Sequence, residues 1–226
     1  MRLNIGGMTP FTTIDFPGHL AAVVFLQGCA WRCSYCHNPH LLPVDDAGDD
    51  WEMLQGFLQK RQGFLDGVVF SGGEPLLQSG LTEAIAIVKD MGFKVALHTA
   101  GGNPERLKKI LPMLDWVGFD VKVAFADYAQ LTGVEGSGDK VLKSLKLLLN
   151  GGVDYEIRTT LDPNFFTKDS ILKLAETLAD LGVKHYALQE CRPVHGQSLE
   201  NASLAIDSAL QDKMNVIFPN FILRYS

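Results

Sequence analysis

Short apolar runs alternate with longer amphipathic ones along most of this chain. Ala21–Leu26, Gly67–Phe70, Lys94–Leu97, Trp116–Val121, Tyr155–Thr159 and His185–Gln189 are short and apolar or β-branched, and polar or glycine-rich residues follow each. That pattern predicts six strands. Between them, apolar positions recur at helical spacing at about Trp51–Arg61, Leu81–Met91, Pro104–Leu114, Lys140–Leu149, Lys168–Leu181 and Leu204–Met214. Asn103-Pro104-Glu105 reads as an N-cap, a proline at the first helical position and an acid near the positive end of the helix dipole. Gly92, Gly151 and Gly182 stand where helices should stop, and Val134–Gly138 reads as a loop. Six strand–helix units running in one direction predict an α/β fold with a parallel sheet curled into a full or partial barrel.

Composition narrows the class. A chain of 226 residues, 46% hydrophobic and 20% charged, is enough for one sizeable core, and nothing in it reads as an interdomain linker, a repeat or a low-complexity tract. The net charge is −6 and no Lys/Arg-rich run occurs, which disfavours nucleic acid as the main partner. No apolar stretch approaches the roughly 20 residues of a membrane helix. Met1-Arg2-Leu3-Asn4-Ile5-Gly6-Gly7 lacks the apolar region of a signal peptide. With clustered free cysteines, these features predict a reducing, cytoplasmic setting.

The chemistry concentrates in Gly28-Cys29-Ala30-Trp31-Arg32-Cys33-Ser34-Tyr35-Cys36-His37-Asn38, directly after the first predicted strand. Cys29, Cys33 and Cys36 are spaced so that one loop can wrap a soft-metal centre. Three thiolates on a four-iron cube leave one iron open to a ligand. The alternative is a structural zinc knot using Cys29, Cys33, Cys36 and His37, although adjacent residues such as Cys36 and His37 rarely reach one tetrahedral ion together. Four cysteines in a chain of this length, three of them bunched, do not resemble a disulfide framework.

Other polar residues fall at the carboxyl ends of the predicted strands, where strand–helix barrels carry their chemistry. The second strand ends in Ser71-Gly72-Gly73-Glu74-Pro75 and the third in His98-Thr99-Ala100-Gly101-Gly102. Asp120-Val121-Lys122 ends the fourth, Arg158-Thr159-Thr160 the fifth, and the sixth runs into Gln189, Arg192 and His195. Gly72 and Gly73 would let backbone approach a ligand closely, or would form an ordinary turn. Asp120 and Lys122 alternate with valines and so share one side of a strand, either as a paired surface end or as a ligand contact. Lys108 and Lys109 read as a solvated face, His98 and His185 as ordinary half-buried histidines, and Cys191 as a small buried hydrophobe.

On these residues the whole chain resembles the glycyl-radical-enzyme activases of the radical S-adenosylmethionine superfamily. Thr13-Ile14-Asp15-Phe16-Pro17-Gly18, the cluster loop running into His37-Asn38-Pro39, and Gly-Gly-Glu-Pro all match, as does Asp120-Val121-Lys122 against an Asp-Leu-Lys segment of pyruvate formate-lyase activase. Pro193-Val194-His195 falls where a late S-adenosylmethionine-contacting histidine lies. The resemblance implies a single-domain partial (β/α)6 barrel over residues 1–226, with its cluster loop at 28–38. It implies a [4Fe-4S] cluster on Cys29, Cys33 and Cys36, with S-adenosylmethionine held by Gly72, Gly73, Glu74, Asp120, Lys122 and His195. Tyr35 would pack near the adenine or shield the cluster.

The implied activity is that of an oxidoreductase. An electron from flavodoxin or ferredoxin enters the cluster and cleaves S-adenosylmethionine, and the resulting 5′-deoxyadenosyl radical takes a hydrogen atom from a glycine of a partner enzyme. Anaerobic ribonucleoside-triphosphate reductase is the partner the resemblance favours; pyruvate formate-lyase is an alternative. A radical enzyme acting on a small molecule and a non-catalytic iron–sulfur or zinc module are the other readings. Two departures stand out. His98 replaces an aspartate of a monovalent-cation site, so that site is not carried over. No cysteine-rich insertion follows the cluster loop, so a single cluster is expected.

Overall fold

The computed structural model describes residues 3–44, 51–191 and 206–225. Arg192 and His195 lie outside these residues, as does Leu204 at the start of the last expected helix. The elements in chain order begin with strands β1 (Ile5–Thr12) and β2 (Ala21–Leu26). Helix α1 (Trp51–Gln59), β3 (Gly67–Gly72), α2 (Leu81–Asp90), β4 (Lys94–Thr99), α3 (Pro104–Ile110) and β5 (Trp116–Asp120) follow. The second half runs α4 (Tyr128–Thr132), α5 (Ser137–Leu149), β6 (Asp154–Leu161), α6 (Lys168–Asp180), β7 (His185–Glu190), α7 (Ser208–Ile217) and β8 (Asn220–Arg224).

All six expected strands are present, and the α/β reading holds. They form one eight-stranded sheet whose spatial order, β1 through β8, is the order of the sequence. Strands β2 to β8 are parallel, while β1 pairs antiparallel with β2. The ends of the sheet, β1 and β8, do not pair with each other, so it is a partial barrel and not a closed one.

Three elements escape the apolar pattern. Strand β1 contains Gly6-Gly7 and Pro10 and has register shifts between Ile5 and Gly7 and between Thr9 and Thr12. These interrupt the alternation that marks a strand, and an edge position tolerates them. Strand β8 lies on the opposite edge, half-exposed along its length. Helix α4 is a single short turn, and α5 already includes Ser137 and Gly138 from the stretch expected to be loop. The expected cap of α3 is present: the Asn103 side chain accepts from the Arg106 N–H at 3.1 Å, with Pro104 at the first position. Gly92 and Gly182, just past α2 and α6, take left-handed φ values of 89° and 93°.

Side chains alternate between the two faces of the sheet. On one face Ala22, Val24, Leu26, Val68, Phe70, Val95 and Leu97 pack against helix residues such as Leu81, Ile85 and Leu107. On the inner face, Ala21, Val23, Val69, Ala96 and Trp116 form a smaller cluster around Phe16. Phe16 comes from the segment joining β1 to β2, is 2% exposed, and lies 6.2 Å from the Trp116 ring. A Cβ on Gly67 would stand 2.9 Å from the Phe16 ring, so the glycine makes room for this stopper. Val23, Val69, Ala96 and Trp116 lie in register. Further along the same face come Ser71, His98 and Gly118, then Asp120 beside Arg158. The inner face thus turns from apolar to polar toward the carboxyl ends of its strands.

Candidate functional site

A cavity of about 340 Å³ opens at that polar end and is lined by Cys29, Cys33, Cys36, Glu74, Asp120 and Lys122, among others. The cluster loop is closed on itself by hydrogen bonds. Its two ends join through Gly28 N–H to Leu41 O at 2.7 Å and Cys29 N–H to Leu42 O at 3.2 Å. The Gln27 amide donates to the carbonyls of His40 and Pro43, and the Arg32 guanidinium donates to those of Cys29 and Trp31. Burial pushes the Cys29 thiol up to about 11, offset only in part by a hydrogen bond from the Trp31 backbone, and burial likewise raises Cys33.

The three cysteines are half-buried and free of disulfides. Among the described residues, no group of three or more His, Cys, Asp or Glu is gathered closely enough for one metal ion. Three thiols on the wall of one cavity are the donor set of a four-iron cube whose remaining iron is open to a ligand.

Gly72 and Gly73 behave differently from a bare ligand cradle. Gly72 has φ 123°, and a Cβ on it would run into the Leu26 backbone; one on Gly73 would run into the carbonyl of Gly28. Gly73 N–H donates to Leu26 O and Glu74 N–H to Gly28 O, both at 2.9 Å. The glycines therefore let the end of β3 press against the cluster loop. The Glu74 carboxylate, 8% exposed, accepts from Leu76 N–H at 3.0 Å, from the Thr99 hydroxyl at 2.6 Å and from Ala100 N–H at 2.9 Å. It braces the ends of β3 and β4. Burial nevertheless outweighs these hydrogen bonds and raises its pKa.

Asp120 and Lys122 share the cavity wall, as their alternation predicts, and Arg158 joins them. Arg158 Nε donates to Asp120 Oδ1 at 2.9 Å, and Lys122 Nζ lies 3.6 Å from Asp120 Oδ2. Burial alone would raise Asp120; Arg158 and Lys122 more than offset it and hold the carboxyl below its usual range. Burial would lower Lys122, but Tyr35, Asp120 and Cys33 around it hold it above its ordinary value. The Lys122 backbone N–H donates to the Tyr128 hydroxyl at 2.8 Å, fixing this end of β5 against α4. Lys122 also sits 5.7 Å over the Tyr35 ring, which is 7% exposed.

Several sequence readings need correction. His98 is half-buried as expected, yet it lines the cavity. Its Nε2 lies 2.8 Å from the Asp15 carbonyl, so that nitrogen carries the proton. Burial, then the nearby Arg158 charge, lower its pKa to about 3, keeping the ring neutral. His185 is exposed and meets Tyr155 edge-on at 5.5 Å. Cys191 is half-buried, packing on the core without being enclosed by it. Lys108 and Lys109 are exposed, as read. Arg158 stands at the rim in the sequence without an assigned role; the signal is its place two residues after Glu156 and two before Thr160, on the inward face of β6. His195 lies outside the described residues.

The profile of the radical SAM superfamily matches residues 23–178, more than half of the chain, and the chain belongs to that superfamily. The cofactors of the superfamily are a [4Fe-4S] cluster and S-adenosylmethionine, and the chain is an oxidoreductase of this kind.

Among its relatives is a Methanocaldococcus jannaschii protein provisionally named a glycyl-radical enzyme activating enzyme, 32% identical over 85% of this chain and 82% of the relative. The pyruvate formate-lyase-activating enzyme of Clostridium pasteurianum is 34% identical over 88% of this chain and 85% of its own. Among solved structures, QueE from Escherichia coli aligns with a TM-score of 0.59 at 20% identity, over 99% of this chain and 93% of QueE. Streptococcus suis SuiB bound to S-adenosylmethionine aligns with a TM-score of 0.65 at 16% identity, over 88% of this chain. The chain spans about half the length of SuiB, 48%. These structural likenesses show the fold.

Among the described residues, no helix is long and apolar enough to cross a membrane.

Proposed function

We propose that this protein is an activase that installs a glycyl radical on a partner enzyme, working as one core over residues 1–226 in the cytoplasm. The observation that carries the reading is the single cavity that brings Cys29, Cys33 and Cys36 together with Glu74, Asp120, Lys122 and Arg158. In this reading the three cysteines hold the [4Fe-4S] cluster, and Gly72, Gly73 and Glu74 receive the methionine end of S-adenosylmethionine. Asp120, Lys122, Arg158 and His195 complete its pocket, with Tyr35 beside the adenine. When bound, the cluster and S-adenosylmethionine together supply reductive cleavage and hydrogen-atom abstraction.

The chain's own residues set the geometry. Two cations, Lys122 and Arg158, face one carboxylate, Asp120, leaving a net positive wall for a ligand carboxylate. Glu74 forms no ion pair among the described residues, so a ligand ammonium suits its buried charge. Phe16 closes the apolar end of the inner face.

The partner is a glycine-bearing loop, and the electron donor is a flavodoxin or ferredoxin. Anaerobic ribonucleoside-triphosphate reductase is the partner suggested by the sequence motifs alone, and neither the Methanocaldococcus jannaschii nor the Clostridium pasteurianum relative is named for it. Pyruvate formate-lyase is the better-supported partner, through the name of the Clostridium pasteurianum relative. The test incubates reduced, cluster-loaded protein and S-adenosylmethionine with each candidate and records electron paramagnetic resonance. A doublet glycyl signal that disappears when the partner's glycine is replaced identifies the substrate. Cleavage of S-adenosylmethionine with no signal on any glycyl-radical enzyme would move the protein to small-molecule chemistry.

A further inference from the structure

We infer that Gly118 is a positioning residue: its missing side chain seats the Arg158 guanidinium as the fixed charge that receives the carboxylate of S-adenosylmethionine. The inference rests on the cofactor reading above, but on no choice of partner.

A Cβ built on Gly118 would lie 2.8 Å from Arg158 Cζ and Nη1 and 2.9 Å from Nη2, inside contact distance for all three. The guanidinium therefore occupies the hollow that a side chain would fill. Gly118 sits in the middle of β5, in register with His98 on β4 and Glu156 on β6. No left-handed backbone accounts for it, because its φ is not positive. Glycine weakens a strand interior and there often marks close approach by another group. Here that group is the end of a side chain from the neighbouring strand.

The seat also directs the fork. Nε is committed to Asp120 Oδ1 at 2.9 Å, and Nη2 reaches only weakly to the Gly118 carbonyl at 3.4 Å. A guanidinium has five N–H groups. Among the described residues the others meet no acceptor, while Arg158 lines the cavity with its side chain 13% exposed. The groups around it cancel its charge only in part, since the Glu156 carboxylate two residues before it on β6 is taken by Arg224. His98 is neutral, Lys122 adds a second cation, and Asp120 is shared between the two. A planar fork with free N–H groups matches a carboxylate in bidentate fashion. Pushed outward by a methyl group, the same side chain would keep its charge and lose its aim.

The test compares two ligands on cluster-loaded, unreduced protein: S-adenosylmethionine and its decarboxylated analogue, which keeps the sulfonium and the amine. Gly118→Ala should bind S-adenosylmethionine 10- to 50-fold more weakly and the decarboxylated analogue within twofold of the unaltered protein. Iron content and melting temperature should stay unchanged, since the clashing atoms are the far end of a flexible side chain. Arg158→Gln should show the same selective loss. Equal weakening of both ligands, or unchanged binding of S-adenosylmethionine, overturns the proposal. Should Gly118→Ala fail to fold, Gly118→Ser and Arg158→Gln are read by the same selectivity, and its absence in Arg158→Gln overturns the proposal. The partner enzyme takes no part in this measurement, so failure here is distinct from failure to form a glycyl radical.

Discussion

The two ends of the inner sheet face are built from the same strands with the same alternation, yet they do opposite work. At one end Val23, Val69, Ala96 and Trp116 close over Phe16. At the other, the same face of the sheet carries His98, Gly118, Asp120 and Arg158. The apolar end lowers the free energy of the fold by removing surface from water. The polar end incurs a cost, because charges lie half-buried and are offset only partly by one another. A strand can therefore anchor a fold and arm a site within a few residues, provided the change of character falls at its carboxyl end.

The sharpest break between the ends should come from the loop above the polar one. Replacing Cys29, Cys33 or Cys36 singly with alanine should abolish four-iron incorporation, read as iron per chain and loss of the brown chromophore. Cys191→Ala should retain both. Equal loss of iron in a folded Cys191→Ala protein would reverse the ligand assignment.

The apolar end should respond in stability. Phe16→Ala should cost about 3–5 kcal/mol of unfolding free energy, the usual range for a buried phenylalanine, measured by urea denaturation. A loss below about 1 kcal/mol would show that the stopper is dispensable.

Substitutions at the polar end should respond in binding. Asp120→Asn and Lys122→Ala should keep the cluster and weaken S-adenosylmethionine by about 1.5–3 kcal/mol, the worth of a hydrogen bond to a charged group. Spectral titration of the cluster measures this, and unchanged affinity in both variants would remove the pair from the pocket.

The last effect is one of pH, small near neutrality and growing only in acid. His98 has its folded pKa lowered from 6.5 to about 3. Between those values the unfolded chain binds a proton that the folded one refuses, so stability should fall as pH drops from 6.5 toward 3. His98→Gln, which keeps an N–H donor for the Asp15 carbonyl, should flatten that part of the melting-temperature profile. An identical slope in both proteins would show that other groups govern acid sensitivity.

The sequence made the apolar end legible and only part of the polar one. The six strands from β2 to β7 announce themselves because each is built mainly of apolar or β-branched residues, with Glu156 and Arg158 the chief interruptions in β6. Strand β1 does not, since Gly6, Gly7 and Pro10 break its alternation, and α4 is too short to show a helical period. The cysteines were legible because ligands from one loop must be close in sequence. Arg158 and Asp120 are partners across two strands, and only the register between β5 and β6 makes them a pair. Gly72 and Gly73 read as a place of close backbone approach, and the space a Cβ would need belongs to the backbone of β2 at Gly72 and of the cluster loop at Gly73. A side chain's absence does not tell a sequence reader what fills the gap.

The coincidence of strand order with chain order has a consequence for biosynthesis. Each strand emerging from the ribosome finds its neighbour already made, so the sheet can grow one unit at a time with short loop closures. The cavity cannot be completed that way, because it draws on residues from Asp15 to Gln189. The loop thiols are synthesised early and the far wall late. At about 5–20 residues per second the interval between Cys36 and Gln189 is on the order of ten to thirty seconds. For that time the most oxidisable atoms of the protein have their loop but not their enclosure, and protection of the nascent chain from oxygen falls to the cell.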